Sequence, residues 1–527
     1  MSLVIVATSV HWLTRVQEKR LREYSLRRIL CWPHFERNIM YSEASSSNPG
    51  ISVHRRLLLK CAALSSLWLE PVAAQDGRPA AEKRVIESLI SLFNQNRFTE
   101  IYELAGPQFA ARISKEQLVR FLQGNRNGGD ITGYAFEAEA ETKARYRLSF
   151  QLRNMMLTLK VDDDGKITDF GLSNAPSTPW PQPRDVQSDN AMHTPLDHAV
   201  DFAARDYFRA RQAVGLSIGI ITDGAQHLYH YGETRRGAAV LPSSNTIYEI
   251  GSITKTFTTT LLAQAAVEQR LSLSDDVRRY LPGAFPNLNY QGSPITLQHL
   301  ANHTSRLPTM PSDLWDQPGL DPLMPAKRYD SRRSFAALRA VRLDGPPGVR
   351  FEYSNWGIAI LGSVLQRVYQ QPYPILLKRF ITGPLAMTRT TYGPRAEDQK
   401  LAAVPYGENG TQAPFQNEGH FGPAGEIRST LADMIRYLGA QIEEKIPAIK
   451  LTHEPTMNDI GLGWGVRRRT GFRELQHNGS TQGFTSNITV FPELKRGLFV
   501  IVNSKAQIGG LVRSLMELIL PPKQVDR

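Results

Sequence analysis

Apolar and polar positions in this chain follow two rhythms, and the switches between them mark out its elements. Val85, Ile86, Leu89, Ile90 and Phe93 recur at helical spacing, and residues 98–104 and 118–122 suggest two more helices. After Gly128-Gly129 the period falls to two, first in residues 146–150 and then in 155–161. Asp163-Asp164-Gly165-Lys166 reads as a hairpin turn into residues 167–172. Residues 75–173 are therefore expected to form a small α+β domain, helices laid on a curved antiparallel sheet. Pro176, Pro179, Pro181 and Pro183 then stiffen a linker placed at 174–195. The second domain is expected over 196–527. Residues 200–211 read as an amphipathic helix, 214–221 as a strand, Asp223-Gly224 as a turn and 227–231 as the return strand. Near the end, 486–491 and 498–502 read as a second hairpin and 511–520 as a closing helix. Strands at both ends with helices between them imply that the first and last strands pair across a long separation.

The chemistry centres on Tyr248-Glu249-Ile250-Gly251-Ser252-Ile253-Thr254-Lys255-Thr256-Phe257. An apolar run ends here and a helix begins, with Phe257, Leu261, Leu262, Ala265 and Ala266 at helical spacing. If Ser252 opens that helix, one turn brings the Lys255 amine beside its hydroxyl. A serine hydroxyl is a poor nucleophile until a neighbour takes its proton, and a lysine takes it only when burial or nearby positive charge favours the free amine. The same four residues also fit an ordinary helix start, with serine as cap and lysine on the surface.

Composition narrows the setting. The 527 residues carry 62 Lys and Arg against 50 Asp and Glu, a net charge of +12 that would ordinarily suggest nucleic acid. Half of the excess lies before residue 61, where ten basic residues face four acidic ones, so a nucleic-acid partner is not expected. Residues 1–39 show no globular pattern and read as an upstream extension, with Met40 a natural start. The short apolar stretch at 3–10 cannot span a bilayer. Arg55-Arg56, the apolar run 61–69 and Val72-Ala73-Ala74 together have the order of a twin-arginine-like export signal over 40–74. The expectation is an exported, periplasmic or extracellular protein with no stable membrane span once the signal is removed. Cleavage after Ala74 would remove both cysteines, Cys31 and Cys61, leaving no disulfide framework and no cysteine-based metal site.

Three further stretches bear on Ser252 and Lys255. In Pro346-Pro347-Gly348-Val349-Arg350-Phe351-Glu352-Tyr353-Ser354-Asn355-Trp356-Gly357, a turn delivers Tyr-x-Asn just before an apolar helix. Tyr353 can shuttle a proton if a nearby ammonium favours its anion, and Asn355 can donate to a substrate carbonyl. His477-Asn478-Gly479-Ser480-Thr481-Gln482-Gly483 precedes the final hairpin. Gly479 lets a ligand approach the strand edge, His477 can supply a cation or a donor to a carboxylate, and a backbone N–H here can complete an oxyanion hole with that of Ser252. His299 and His303 are spaced as a helical metal pair, but no third ligand is evident, so both are read as structural and no metal is expected.

In this order and within one domain, S-x-x-K, Y-x-N and H-x-G resemble the serine β-lactamase and penicillin-binding protein superfamily, on its class C β-lactamase, D,D-carboxypeptidase and esterase branch. Residues 271–277, 302–305, 425–433 and 462–465 look familial too, and residues 75–173 resemble the cystatin- or NTF2-like accessory domains found beside exported hydrolases. The resemblance implies an α/β (α+β) sandwich: an antiparallel sheet flanked by helices, with a helical subdomain. It implies Ser252 as nucleophile, Lys255 and Tyr353 sharing acid and base work, Asn355, His477 and Gly479 against the substrate, and the Ser480 N–H in the oxyanion hole. It implies no cofactor, and as partner a small-molecule or peptide substrate, cell-wall derived in one reading.

The pattern departs from the family in places. His477 stands where class C β-lactamases usually have lysine, which favours D,D-peptidase or esterase chemistry over true β-lactamase activity. Arg306 stands where relatives usually have glycine, and Glu426-Ile427-Arg428 replaces a glycine-rich apolar run. The competing expectation is a catalytically weak peptidoglycan-binding or sensory protein that keeps the fold.

Overall fold

The structure is a computed structural model that describes residues 80–140, 143–175, 185–210 and 213–521. The upstream extension, the export signal, both cysteines and the prolines at 176, 179, 181 and 183 lie outside the described residues.

Helix α1 (Ala80–Asn94) buries Val85, Ile86, Leu89 and Phe93, the stripe its spacing predicts. Helix α2 (Lys115–Asn125) starts with a capping box, the Ser114 hydroxyl taking the Gln117 N–H and the Gln117 side chain taking the Ser114 N–H. Strands β1 (Ile131–Ala140), β2 (Lys143–Phe150), β3 (Asn154–Val161) and β4 (Ile167–Asn174) form an antiparallel meander. The 163–166 turn joins β3 to β4 with Gly165 at φ +77°, a left-handed position glycine adopts freely. The two helices and the meander close over one apolar core. From the other side Asn409 donates its side-chain amide to the carbonyls of Phe150 and Gln151, at 3.2 Å each.

Residues 185–194 are held along the next layer rather than free of it. The Gly232 N–H bonds the Gln187 carbonyl at 2.9 Å, and the His230 N–H bonds Asp189 at 2.8 Å. Helix α3 (Pro195–Ala210) follows, then strands β5 (Gly215–Thr222), β6 (Ala225–Gly232) and β7 (Ile247–Glu249). After β7 come α4 (Thr254–Val267), α5 (Leu297–Ala301), α6 (Asn355–Tyr369), β8 (Thr391–Tyr392), β9 (Ile427–Thr430) and α7 (Leu431–Glu443). The chain ends with β10 (Gly465–Arg469), β11 (Phe472–Ser480), β12 (Thr485–Phe491), β13 (Arg496–Val502) and α8 (Gly509–Ile519). The main sheet runs β10-β11-β12-β13-β5-β6, antiparallel throughout. The long-range pairing expected of the end strands is Gly497 opposite Ile221 and Val502 opposite Leu216.

Both faces of that sheet are covered, which is why β13 reads as an unbroken apolar run rather than an alternation. Leu498, Val500 and Val502 pack with Leu216, Ile218 and Ile220 under α3 and α8. Phe499 and Ile501 point the other way, into the larger core shared with α4, α6 and α7. Helix α7 sits close on this face because Gly219 has no side chain; a Cβ there would lie 2.5 Å from the Ile435 methyl.

Helix α4 threads between the sheet and the helical lobe and is buried nearly all round. Its threonine hydroxyls are satisfied locally: Thr256 meets Tyr437 at 2.9 Å, Thr258 meets Tyr373 at 2.7 Å, and Thr259 bonds the Leu462 carbonyl at 2.9 Å. Phe257 stacks on Tyr437 with ring centroids 4.0 Å apart. Phe257→Ala is expected to cost about 3–5 kcal/mol of unfolding free energy, read by urea denaturation, because the ring is fully buried and stacked on Tyr437. A loss below about 1 kcal/mol would show that the helix is not clamped there.

Candidate active site

Strand β7 ends in a sharp turn. Gly251 takes φ +54°, and a Cβ on it would stand 2.6 Å from the Ser480 nitrogen, so both the backbone conformation and the space call for glycine. The chain passes through a single 3₁₀ turn, Gly251–Ile253, before α4 begins at Thr254. Ser252 therefore stands at the elbow, half-buried, with Lys255 one turn on and fully buried.

The serine Oγ is the meeting point. Lys255 Nζ lies 3.0 Å away and the Tyr353 hydroxyl 2.9 Å away. Nζ also donates to the Ala424 carbonyl at 2.7 Å and sits 4.9 Å from the centre of the Tyr353 ring. Chain positions 101 residues apart are thus joined through one oxygen.

Tyr353 is delivered by two segments bonded together. The Gly348 N–H reaches the Thr304 carbonyl at 2.8 Å, the Glu352 N–H the His303 carbonyl at 2.7 Å, and the Thr309 hydroxyl the Tyr353 carbonyl at 2.9 Å. Ser354 caps α6 by accepting the Gly357 N–H at 2.9 Å, while its own N–H meets His303 Nδ1 at 3.2 Å. The His303 ring lies 4.5 Å from that of Tyr353. Burial, the charge of Lys255 and the neighbouring His477 hold His303 well below the usual imidazole range, so it is neutral and its Nδ1 is the acceptor. His299 does something else: its Nδ1 accepts the Thr296 N–H at the start of α5. The two imidazoles thus serve separate segments.

His477, Gly479 and Ser480 lie within β11, past the point where β10 stops pairing at Gln476, so one side of the strand is open there. Burial, then the positive charge of Lys255, pushes His477 down to about 4. Its Nδ1 donates to the Asn478 carbonyl at 2.8 Å, which leaves Nε2 an acceptor. A neutral ring replaces the cation considered from sequence. Gly479 is small for a different reason than expected: a Cβ would fall 2.0 Å from the Ile250 carbonyl, so the strand is pressed against the serine turn. The Ser486 hydroxyl fastens the same carbonyl at 3.0 Å. Asn355 is the first residue of α6 rather than part of the loop; it is half-buried, and no side-chain hydrogen bond joins it to the Ser252 group. A cavity of about 580 Å³ opens beside Tyr353 and His477, walled further by His303, Phe351, Trp464 and Gln476.

Sequence reasoning missed several groups around Lys255 and the serine turn. The Ala424 carbonyl is backbone and carries no residue signal. Glu249, three residues before the nucleophile position, is buried against Arg428 at 3.3 Å and is pushed up to about 7 by burial. Glu418 is raised by burial, and Glu426 is pushed up to about 7 by burial and by Glu418. Glu426-Ile427-Arg428 had stood out only as a departure from the family pattern.

Comparison with known proteins identifies the family and the fold. The family model described as Beta-lactamase matches residues 200–513. The D-alanyl-D-alanine-carboxypeptidase/endopeptidase AmpH of Escherichia coli (strain K12) is 29% identical over 325 residues, covering 58% of this chain and 83% of that protein. The beta-lactamase of Lysobacter lactamgenus is 24% identical over 361 residues, covering 60% of this chain and 89% of that one. Among solved structures, the beta-lactamase/D-alanine carboxypeptidase from Yersinia pestis complexed with citrate superposes with a TM-score of 0.53 at 26% identity, covering 62% of this chain and 97% of that one.

The raised carboxyl of Glu426 has a direct consequence for stability. Between its ordinary value of 4.5 and about 7 the folded chain holds a proton there that the unfolded chain has lost, so this group's contribution falls as pH rises through that window. Glu426→Gln removes the penalty. Urea denaturation is expected to find the variant's stability relative to wild type rising by roughly 1–3 kcal/mol from pH 5 to pH 8. An identical difference at both pH values would contradict the raised carboxyl.

Proposed function

This chain belongs to the beta-lactamase family, and from that premise we propose that it is an exported serine hydrolase that cleaves a peptide, amide or ester through an acyl-serine intermediate. D,D-peptidase or esterase-like chemistry is favoured over true β-lactamase activity. The observation that carries the reading is the single oxygen of Ser252 held at 3.0 Å from Lys255 Nζ and 2.9 Å from the Tyr353 hydroxyl. A hydroxyl has one proton, and attack requires that it leave through one of those two contacts.

In the proposed cycle Ser252 Oγ adds to the substrate carbonyl while its proton passes to the Lys255–Tyr353 pair. The tetrahedral oxygen is received by the backbone N–H groups of Ser252 and Ser480, where one such donor is typically worth about 3 kcal/mol of barrier. Tyr353 returns the proton to the leaving amine or alkoxide as the C–N or C–O bond breaks. Water then adds to the acyl carbon, gives its proton to the same pair, and Ser252 departs with it. Asn355 and Gly479 border the substrate, and His477, neutral and with Nε2 free to accept, receives a substrate N–H or O–H.

Support for the substrate class is chemical. A neutral histidine does not offer a carboxylate the point charge that a lysine would, which favours an ester lacking one, while a relative of this chain, AmpH of Escherichia coli, is a D-alanyl-D-alanine-carboxypeptidase/endopeptidase. Export rests on the order of Arg55-Arg56, the apolar run and Ala73-Ala74. Residues 75–173 are proposed as an accessory domain with a positioning or binding role, 174–195 as the connection, and 196–527 as the hydrolase domain. A second reading, a catalytically weak binder of cell-wall fragments, draws on Glu418, whose ionisation responds to the charge of Lys255.

Purified protein assayed with a D-Ala-D-Ala peptide, a nitrophenyl ester and nitrocefin separates these readings. Ester or peptide turnover above nitrocefin turnover is expected, falling at least about a thousandfold in Ser252→Ala and in Lys255→Ala. Turnover that survives Ser252→Ala removes Ser252 as nucleophile. Binding of muropeptides with no turnover of any substrate favours the second reading.

A further inference from the structure

Arg306 occupies a position that suits it badly. Its φ is +66°, in the left-handed region that disfavours side chains, and its guanidinium is withdrawn from solvent, with side-chain exposure of 3%. What holds it there is the loop that delivers Tyr353. Arg306 donates to Glu352 at 3.0 Å and to the Asp344 carboxylate, spanning the loop from its first residues to the one just before Tyr353. Arg350 meets the same two carboxylates from outside, at 2.9 Å and 3.4 Å, but its side chain is 59% exposed and weakly restrained. The guanidinium is buried although Glu352 is 36% and Asp344 64% exposed, so the fork adds two ion pairs to the backbone bonds from Gly348 and Glu352 that hold the loop, and the restrained element ends one residue before Tyr353.

The geometry points to Arg306 as a positioning residue: we propose that its two ion pairs set the Tyr353 hydroxyl on the Ser252 oxygen, so that its role is in turnover rather than in substrate binding. The inference rests on the hydrolase reading above. The guanidinium is a fork fixed in a plane, which a lysine ammonium cannot reproduce at both carboxylates. A displacement of about 1 Å in a reacting group lowers turnover on the order of a hundredfold.

The test is a double-mutant cycle on nitrophenyl acetate hydrolysis by the full chain, using Arg306→Gly, Tyr353→Phe and the pair. Glycine suits the left-handed backbone, so Arg306→Gly removes the fork without adding strain. The single variant is expected to lower kcat about 10- to 100-fold with KM within about threefold, and Arg306→Lys to recover only part of the loss. In the Tyr353→Phe background Arg306→Gly is expected to add less than about a twofold further loss, since the group it positions is already gone. Wild-type kcat in Arg306→Gly, or a loss that multiplies fully with that of Tyr353→Phe, would overturn the proposal. If Arg306→Gly does not fold, Glu352→Gln decides: it cuts the pair nearest Tyr353 and is expected to lower kcat, and an unchanged kcat overturns the proposal. Absence of Ser252-dependent turnover in the wild type would remove the hydrolase reading and this inference together. Turnover in the wild type with no effect of Arg306→Gly would remove this inference alone.

Discussion

Lys255 brings a primary amine to a point with no solvent exposure, between a sheet and a lobe of helices. An amine left there without oxygen contacts would cost several kcal/mol, since burial removes water from a group that binds it strongly. Three neighbours replace that water: the Ala424 carbonyl, the Ser252 oxygen and the face of Tyr353. Each comes from a different part of the chain. Holding the amine thus also brings the Ser252 oxygen, the Tyr353 ring and the Ala424 carbonyl together at one nitrogen, the arrangement on which the proposed mechanism rests.

The rest of the catalytic layer is arranged to keep those neighbours in place. Gly251 and Gly479 let the serine turn and β11 press together to distances no side chain would allow, and Ser486 fastens the turn from behind. His303 lies under Tyr353 as a neutral ring, accepting a backbone N–H from the residue after it. Burial holds both His303 and His477 neutral, with the nearby Lys255 a second cause. The two histidines therefore add no cation to the cleft beside the serine.

The parts of this arrangement legible in the sequence were those governed by local geometry. The Ser252–Lys255 contact follows from a three-residue spacing across a 3₁₀ turn into α4, a spacing that equally fits an ordinary helix cap, and the terminal strands follow from their apolar runs and turn residues. Tyr353 was legible only through the order of motifs, because nothing local in a Pro-Gly turn says where its tyrosine points. Strand β1 was missed because its inward-facing Ile131, Tyr134 and Phe136 do not alternate strictly, irregularities at 131–133 and 136–138 shifting the register; β10 was missed because Arg467, Arg468 and Arg469 sit on a sheet edge facing water. Backbone partners such as the Ala424 carbonyl leave no trace in residue identity. Arg306 and Glu426 stood out as departures, yet only the folded structure gives them physical content: one is a buried guanidinium on a left-handed backbone paired to two partly exposed carboxylates, the other a buried carboxyl beside a second carboxyl.

The central claim is that the buried amine and the phenol together make the Ser252 oxygen the reactive atom of the chain. Mass spectrometry of the intact protein after brief exposure to a fluorophosphonate, followed by peptide mapping, tests it most directly. The account predicts one covalent adduct per chain, carried by the peptide that contains Ser252. An adduct on another residue, or hydrolysis that continues at full rate after Ser252 is completely modified, would contradict it.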